Sequence, residues 1–393
     1  MLIKKVAVIT GTRADYGYLK PLIEKIYKDK ELYLQLFVTG MHLVREHGYS
    51  LKEVERDFPI TEVVDIGFEA KSTNLDMAIW TGKGIEKFSK IFKKYEPDIV
   101  FVLGDRIEAF SIAASAYLLN IPVAHIAGGE LTFNTVDDDL RHAITKLSHL
   151  HFVSTETYKK RVLQLGEEEW RVYNVGALSL ENIEKIQIVS KKEIYKKYNF
   201  ESNYPLILIL YHPLTKDKKF LFEFENIINA LEEFSDKYNK LNVLAIYPNT
   251  DSGGCLIVES LKKLKRNKNL NLRIIPNLSH EEYISVLANS NVLIGNTSSG
   301  IIEAPSLGVP YICVGDRQKG RVRAKNTLDV KGDKKEILNA LKKALFDTKF
   351  IDMVKKRENP YYQPKPSEEI IKVIKSISSK EKLLKKKFVD IVW

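Results

Sequence analysis

The chain has 393 residues, 44% of them hydrophobic, and 61 basic against 51 acidic residues give it a formal net charge of +10. This length favours two domains over a single core. No apolar run reaches the roughly 18 residues of a membrane-spanning helix, so we predict an untargeted cytoplasmic protein without a membrane partner. The lysine-rich segments resemble solvated helix faces without interleaved stacking aromatics, which argues against a nucleic-acid partner.

The first half of the chain alternates short β-branched runs with helical patterns, which is typical of a parallel sheet covered by helices. Predicted helices occupy residues 18–28, 77–95, 109–119 and 140–147. Predicted strands occupy residues 6–10, 34–39, 99–103, 123–126, 152–154 and 172–175. We therefore predict one doubly wound domain over residues 1–176.

A second series of the same kind follows a Lys- and Glu-rich linker, which we place at residues 177–204. Ser279 with Glu282 forms a capping-box pattern, and Asp333 precedes another helical pattern. The predicted strands are residues 206–210, 243–247, 272–275, 292–294 and 311–314. Residues 205–364 are thus a second Rossmann-like domain facing the first across a cleft, and residues 365–393 contain a helix free to return to the first domain.

A small-residue turn follows the first strand and delivers Arg13, whose guanidinium suits a phosphate. The turn lacks the GxGxxG pattern, and the second strand ends without the acidic residue that would hold a ribose. Nicotinamide chemistry is therefore disfavoured. The two cysteines, Cys255 and Cys313, belong to no CxxC pattern and have no pair of histidines nearby, so no metal site is predicted.

Carboxylates concentrate after the later strands of the first half, where Asp105, Glu130, Asp137 and Asp138 should share one edge of the sheet. Such a cluster can remove a proton from a carbon and return it elsewhere, because repulsion and burial separate the pKa values of its members. The alternatives stay open at this point. Asp137 or Asp138 could cap a helix, and His125 and His142 could be core or helix histidines.

The second half places polar residues after its own strands. His212 follows the first of them and Asn249 the second, and a Gly-Asn-Thr-Ser-Ser-Gly loop follows the fourth. Ser298, Ser299 and Gly300 in this loop could cradle a diphosphate at a helix start, with Glu303 placed to bind ribose hydroxyls. A serine-rich cap before a core helix is the alternative. Arg317 and Arg321 could add positive charge nearby.

Taken together, these motifs resemble the hydrolysing UDP-N-acetylglucosamine 2-epimerases of sialic-acid and related nonulosonic-acid synthesis, over nearly the whole chain. The stretches that carry the resemblance are residues 11–16, 39–42, 104–106, 141–147, 295–303 and 315–321. It implies a two-domain GT-B fold, no metal, no cofactor, a nucleotide-sugar substrate and a homodimer or homotetramer.

The resemblance also implies a mechanism in which the C2 proton is lost with anti-elimination of UDP, giving 2-acetamidoglucal, and water then adds to give N-acetylmannosamine. The candidate catalytic residues are Asp105, Glu130, Asp137, Asp138 and His212. The candidate substrate-binding and nucleotide-binding residues are Arg13, His42, Arg141, Asn249, Ser298, Ser299, Gly300, Glu303, Arg317 and Arg321.

The chain departs from the family pattern at Ala127, where many relatives carry a glutamate assigned to catalysis. Glu130 could replace that carboxylate, or it could merely orient a neighbouring Arg or His. A UDP- or GDP-linked 2,4-diacetamido-2,4,6-trideoxyglucose is an alternative substrate. A GT-B glycosyltransferase, or a nucleotide-binding protein without chemistry, are the rival functions.

Overall fold

Two parallel sheets, each covered by helices, make up the protein. The structure is a computed structural model that describes residues 4–69, 73–214, 217, 219–238, 240–248, 253–264 and 270–390. The strands of the first sheet are β1 (Lys4–Thr10), β2 (Leu32–Thr39), β3 (Glu62–Val64), β4 (Ile99–Leu103), β5 (Val123–Ile126), β6 (Leu150–Val153) and β7 (Val172–Asn174). Those of the second are β8 (Leu206–Leu210), β9 (Leu241–Ile246), β10 (Leu270–Ile275), β11 (Val292–Gly295), β12 (Tyr311–Val314) and β13 (Thr327–Val330).

The helices connect these strands and cover both faces of each sheet. In the first half they are α1 (Arg13–Lys28), α2 (Leu51–Asp57), α3 (Asn74–Tyr95), α4 (Ile107–Leu118), α5 (Val136–Leu147), α6 (Glu156–Gln164) and α7 (Leu178–Lys185). The remainder are α8 (Lys191–Tyr198), α9 (Phe220–Lys237), α10 (Gly254–Leu264), α11 (His280–Asn289), α12 (Ser299–Ile302), α13 (Ala304–Leu307), α14 (Lys334–Phe346), α15 (Thr348–Val354), α16 (Pro366–Ser376) and α17 (Lys380–Leu384).

The strand orders are those of doubly wound sheets. The first sheet runs β3-β2-β1-β4-β5-β6-β7 and the second β10-β9-β8-β11-β12-β13, with parallel neighbours throughout. The central strand β8 is apolar throughout, and β1 has an apolar, buried run after its two lysines, because helices cover both faces of a parallel sheet. This arrangement confirms the predicted GT-B fold. Within the described ranges, no helix is both long and apolar enough to cross a bilayer.

Two edge strands escaped the sequence analysis. Strand β3 has three residues, and β13 has four residues with mixed exposure, so neither carries a clear periodic signal. The segment predicted as a linker contains α7 and α8, the second of which begins with a capping box between Ser190 and Glu193. The domain boundaries themselves stay a prediction.

Helix starts follow the predicted caps with one difference. The Ser279 hydroxyl accepts a hydrogen bond from the Glu282 backbone N–H, and Asp333 likewise caps α14. The Glu282 carboxylate, however, binds Tyr198 and Lys197 on α8. In a capping box this glutamate would bond back to the N-cap residue of its own helix. Here it links two helices instead.

Helix α16, which follows the whole second sheet in the chain, packs on the first sheet's side of the molecule. Ile370, Ile371 and Ile374 are buried in the same apolar cluster as the core residues of β1 and α1. Lys4 Nζ donates to the backbone carbonyl of Ile374 at 2.6 Å. The buried Arg171 donates to the carbonyl of Leu383 at 2.8 Å, which fixes the segment beyond α16 as well.

Gly295 ends β11 with φ +148°, and a methyl group there would overlap the Leu210 carbonyl oxygen of the adjacent strand. We predict that Gly295→Ala lowers the free energy of unfolding by about 2 kcal/mol or more, because both the backbone angle and the space are wrong. Gly82→Ala is the matched control, since Gly82 lies in α3 with open space around it. This substitution should raise the free energy of unfolding by up to about 1 kcal/mol. Denaturant unfolding of both variants measures the difference, and equal effects would contradict the argument.

Candidate active site between the two sheets

A cavity of about 360 Å³ lies where the carboxyl ends of the two sheets face each other. Its walls come from loops after strands of both sheets, as expected for ligand sites in open parallel sheets. Most of the residues that the sequence analysis selected line it. These are Arg13, Asp105, Glu130, Asp137, Arg141, His212, Ser298, Ser299, Glu303, Arg317 and Arg321.

Three selected residues are not on the cavity wall. His42 is fully buried between the hydroxyls of Thr10 and Ser50, at 2.9 and 2.7 Å, and burial lowers its pKa to about 3. Gly300 packs against the Tyr311 ring, where no side chain would fit. These two residues lie behind the wall, and their predicted contact with substrate stays a prediction.

Asp138 is the third such residue, and it has a local structural contact. Its Oδ1 accepts a hydrogen bond from the backbone N–H of Thr132 at 2.6 Å, which holds the loop before α5. The neighbouring Asp137 is buried and lines the cavity. The helix therefore directs these two adjacent acids, both predicted as catalytic, to different places. Asn249, also selected, lies outside the described residues.

Asp105 sits among guanidinium groups. Its Oδ2 accepts hydrogen bonds from Arg141 and from the Thr132 hydroxyl, the latter at 3.2 Å. Burial raises the pKa of Asp105, but Arg141, Arg321 and the other guanidinium groups outweigh burial, so its pKa lies below the ordinary value. Asp105 is therefore an ionised carboxylate at neutral pH.

Glu130 is engaged on both carboxylate oxygens. Oε1 accepts from the Ser154 hydroxyl at 2.8 Å, and Oε2 lies 2.9 Å from Arg321 and 3.5 Å from Arg141. The side chain is 2% exposed. These contacts favour an orienting function for Glu130 over the proton-transfer function that would replace the carboxylate missing at Ala127.

Asp15 was overlooked as a site residue. It lies in the first turn of α1, lines the cavity, and accepts a hydrogen bond from the Gly11 N–H at 3.3 Å. Burial first, and then the nearby Glu108 carboxylate, raise the pKa of Asp15 to about 7. A carboxyl group of this kind can hold or release a proton near neutral pH. In the sequence it reads only as an acidic residue in a first helical turn.

Side chains from both halves meet around the serine loop. Ser299 accepts a hydrogen bond from the Tyr283 hydroxyl at 2.6 Å, and Ser179 of α7 donates to Glu303 Oε1 at 2.6 Å. Burial raises the pKa of Glu303 to about 7. The loop could thus offer hydroxyls to a diphosphate and a carboxyl group to a ribose.

Backbone contacts fix the entrance to this loop. The Asn296 side chain accepts from the His212 N–H at 2.7 Å and donates to the His212 carbonyl at 2.9 Å. Arg317 donates to the Asn296 carbonyl at 3.2 Å. On the opposite wall, Arg13 pairs with Glu53 at 3.0 Å, so its guanidinium is already oriented.

His125 is a core histidine, one of the alternatives that the sequence left open. It lies in the interior of the first sheet, within hydrogen-bond distance of the Gly104 carbonyl at 2.7 Å and the Thr145 hydroxyl at 3.2 Å. Burial lowers its pKa to about 3, so it stays neutral. It therefore supports the loop that carries Asp105.

A family model described as UDP-N-acetylglucosamine 2-epimerase matches residues 24–375 of the chain. The chain is 39% identical over 326 residues to the GDP/UDP-N,N'-diacetylbacillosamine 2-epimerase (hydrolyzing) of Campylobacter jejuni, covering 83% of this chain and 84% of that protein. It is 35% identical over 387 residues to the UDP-N,N'-diacetylbacillosamine 2-epimerase (hydrolyzing) of Legionella pneumophila, covering 98% and 99%.

Among solved structures, the UDP-GlcNAc 2-epimerase of Neisseria meningitidis bound to UDP-GlcNAc aligns with a TM-score of 0.80. The alignment covers 95% of this chain and all of that chain at 21% identity. At this identity the likeness concerns the fold alone.

The raised pKa of Glu303 predicts a pH-dependent cost in stability. Between its ordinary value of 4.5 and about 7, the unfolded chain loses this proton while the folded chain keeps it. The free energy of unfolding therefore falls as the pH rises through this window, by on the order of 3 kcal/mol. Glu303→Gln should remove that fall, so the variant gains stability over the wild type at pH 8 and not at pH 4.

Denaturant unfolding at several pH values measures this difference. Glu259→Gln is the control, because Glu259 lies on the exposed side of α10 and its replacement should shift stability equally at all pH values. A constant difference between Glu303→Gln and the wild type would contradict the raised pKa.

Proposed function

Because the chain belongs to the hydrolysing UDP-N-acetylglucosamine 2-epimerase family, we propose that it releases UDP from a UDP-linked 2-acetamido sugar and inverts carbon 2. A base removes the C2 proton while the C1–O bond to UDP breaks, which gives a 2-acetamidoglucal. Water then adds at C1, and C2 receives a proton on its other face. The observation that carries this proposal is one cavity lined by Asp105 and Asp137 together with Ser299 and Glu303.

The proposed roles follow from charge and position. An ionised Asp105 has no proton to donate, so we assign it the accepting function. Asp137, buried on the same cavity wall, is assigned the donating function. Ser298 and Ser299 with His212 are assigned to the diphosphate, and Glu303 to the ribose hydroxyls.

For the sugar, we propose N,N'-diacetylbacillosamine carried on UDP. The two similar proteins from Campylobacter and Legionella carry this sugar in their names. The uncharged Met41, Leu103 and Ala127 line the cavity, and such a wall suits a methyl group better than a hydroxymethyl group. UDP-N-acetylglucosamine is the second candidate, because the matching family model carries its name.

We predict that the enzyme releases UDP without any acceptor sugar and that kcat/KM is highest for the UDP-linked diacetylated sugar. The assay compares this compound with its GDP analogue and with UDP-N-acetylglucosamine, and mass spectrometry identifies the released sugar. In heavy water the product should carry one solvent deuteron at C2.

Each outcome of this assay is informative. Preference for UDP-N-acetylglucosamine would overturn the proposed sugar and leave the reaction intact. Turnover that needs an acceptor would favour the glycosyltransferase alternative, and full retention of the C2 hydrogen would exclude the elimination mechanism.

Asp137→Asn should lower kcat by roughly 100-fold or more, the scale of a lost acid or base group. The control is Asp139→Asn, because Asp139 lies in the same first turn of α5 but is exposed. Steady-state kinetics with a melting curve for each variant separates chemistry from folding. Equal activity of the two variants would show that Asp137 takes no part in proton transfer.

A further inference from the structure

Two loops from opposite sheets meet at the cavity. The loop after β5 and the loop after β12 join through a hydrogen bond from the Phe133 N–H to the Arg317 carbonyl, at 3.0 Å. Arg321 Nε donates to the Leu131 carbonyl at 2.6 Å. The side chain of Arg321 is buried although it crosses between the sheets. The second half of the chain therefore reaches into the loop after β5, residues 127–135, which carries Glu130 and is called the acidic loop below.

Two nitrogens of the Arg321 guanidinium group donate hydrogen bonds to that acidic loop, and the third, Nη1, forms an ion pair with it but no hydrogen bond with a described residue. Beyond the Nε contact, Nη1 pairs with Glu130 at 2.9 Å and Nη2 donates to the Thr132 hydroxyl at 3.2 Å. The two hydrogen bonds fix the planar guanidinium group in direction as well as distance. Nε and Nη2 of Arg321 are therefore committed to protein groups, which favours a linking function over the nucleotide-binding function that the sequence suggested.

Two routes lead from Arg321 to Asp105. In the first, the Glu130 carboxylate lies between Arg321 and Arg141, and Arg141 binds Asp105. In the second, the Thr132 hydroxyl accepts from Arg321 and from Arg141, at 3.2 and 3.0 Å, and donates its own proton to Asp105. One hydroxyl proton and two lone pairs satisfy this set of contacts completely.

We propose that Arg321 is a positioning residue that holds the Asp105 carboxylate in its reactive orientation from across the cleft. This inference rests on the proposed function, in which Asp105 accepts the C2 proton. It follows that the proton-transfer group is in place only when the two halves of the molecule are closed on each other. Glu130 takes part in this positioning, because its negative charge links the two guanidinium groups.

The experiment compares Arg321→Gln, Arg321→Lys and the control Lys319→Gln. Lys319 lies on the same loop with an exposed side chain whose Nζ is 5.4 Å from the centre of the Phe133 ring, so its replacement removes one positive charge and leaves the contacts of Arg321 in place. Calorimetry measures UDP binding, and steady-state kinetics measures kcat and its pH dependence for each protein.

We expect Arg321→Gln to lower kcat at least 30-fold and to change the Kd for UDP less than threefold. The acidic limb of the pH profile should move to higher pH, because Arg321 is one of the four guanidinium groups facing Asp105, with Arg141, Arg317 and Arg106. Arg321→Lys should restore part of the activity, and Lys319→Gln should match the wild type. Adding Glu130→Gln to Arg321→Gln should cost less than the sum of the single losses, because it removes a buried carboxylate that has lost its nearest guanidinium partner.

Two results would overturn the proposal. If UDP binding weakens in proportion to kcat, Arg321 is a nucleotide ligand. If only the melting temperature falls while kcat and the pH profile stay unchanged, its contacts are merely structural.

Failure of the proposed function is recognised separately, since the wild type would then turn over no sugar nucleotide. Hydrogen exchange still tests the link between the loops in that case. Arg321→Gln should speed amide exchange across residues 128–138, and Lys319→Gln should not. Unchanged exchange in both variants would contradict the positioning contacts.

Discussion

A buried carboxylate is tolerated only where opposite charges lie next to it, and Glu130 meets this condition through arginines from two different sheets. Arg141 approaches from α5 in the first half, and Arg321 approaches from the loop after β12 in the second. Separating the sheets would leave Glu130 with only part of its compensation. The electrostatic balance of one side chain thus favours the closed arrangement at the place where the cavity forms.

The cavity holds carboxyl groups in two different states. Guanidinium groups keep Asp105 ionised, whereas burial raises the pKa of Asp15 and of Glu303 to about 7. Environments that separate pKa values in this way allow one site to contain a proton acceptor and a protonated group at the same pH. The separation arises from the distribution of arginines, which gather around Asp105.

The sequence predicted the architecture well because the central strands are apolar runs and the helices between them have regular periodicity. The details that the sequence did not predict have physical reasons. Asp137 and Asp138 are adjacent, and successive side chains on a helix point about 100° apart, so only one of them faces the cavity. Periodicity alone does not say which of the two does so.

The pairing of Glu130 with Arg321 was likewise beyond sequence reasoning, since it depends on how the two sheets meet.

The position of α16 affects how the protein is made. The apolar surface that receives Ile370, Ile371 and Ile374 belongs to the first sheet's core, yet the helix that covers it follows the whole second sheet in the chain. During translation the first half emerges long before its covering helix, so this surface stays open while the second half is synthesised. The final packing of the first half therefore waits for the ribosome to complete α16.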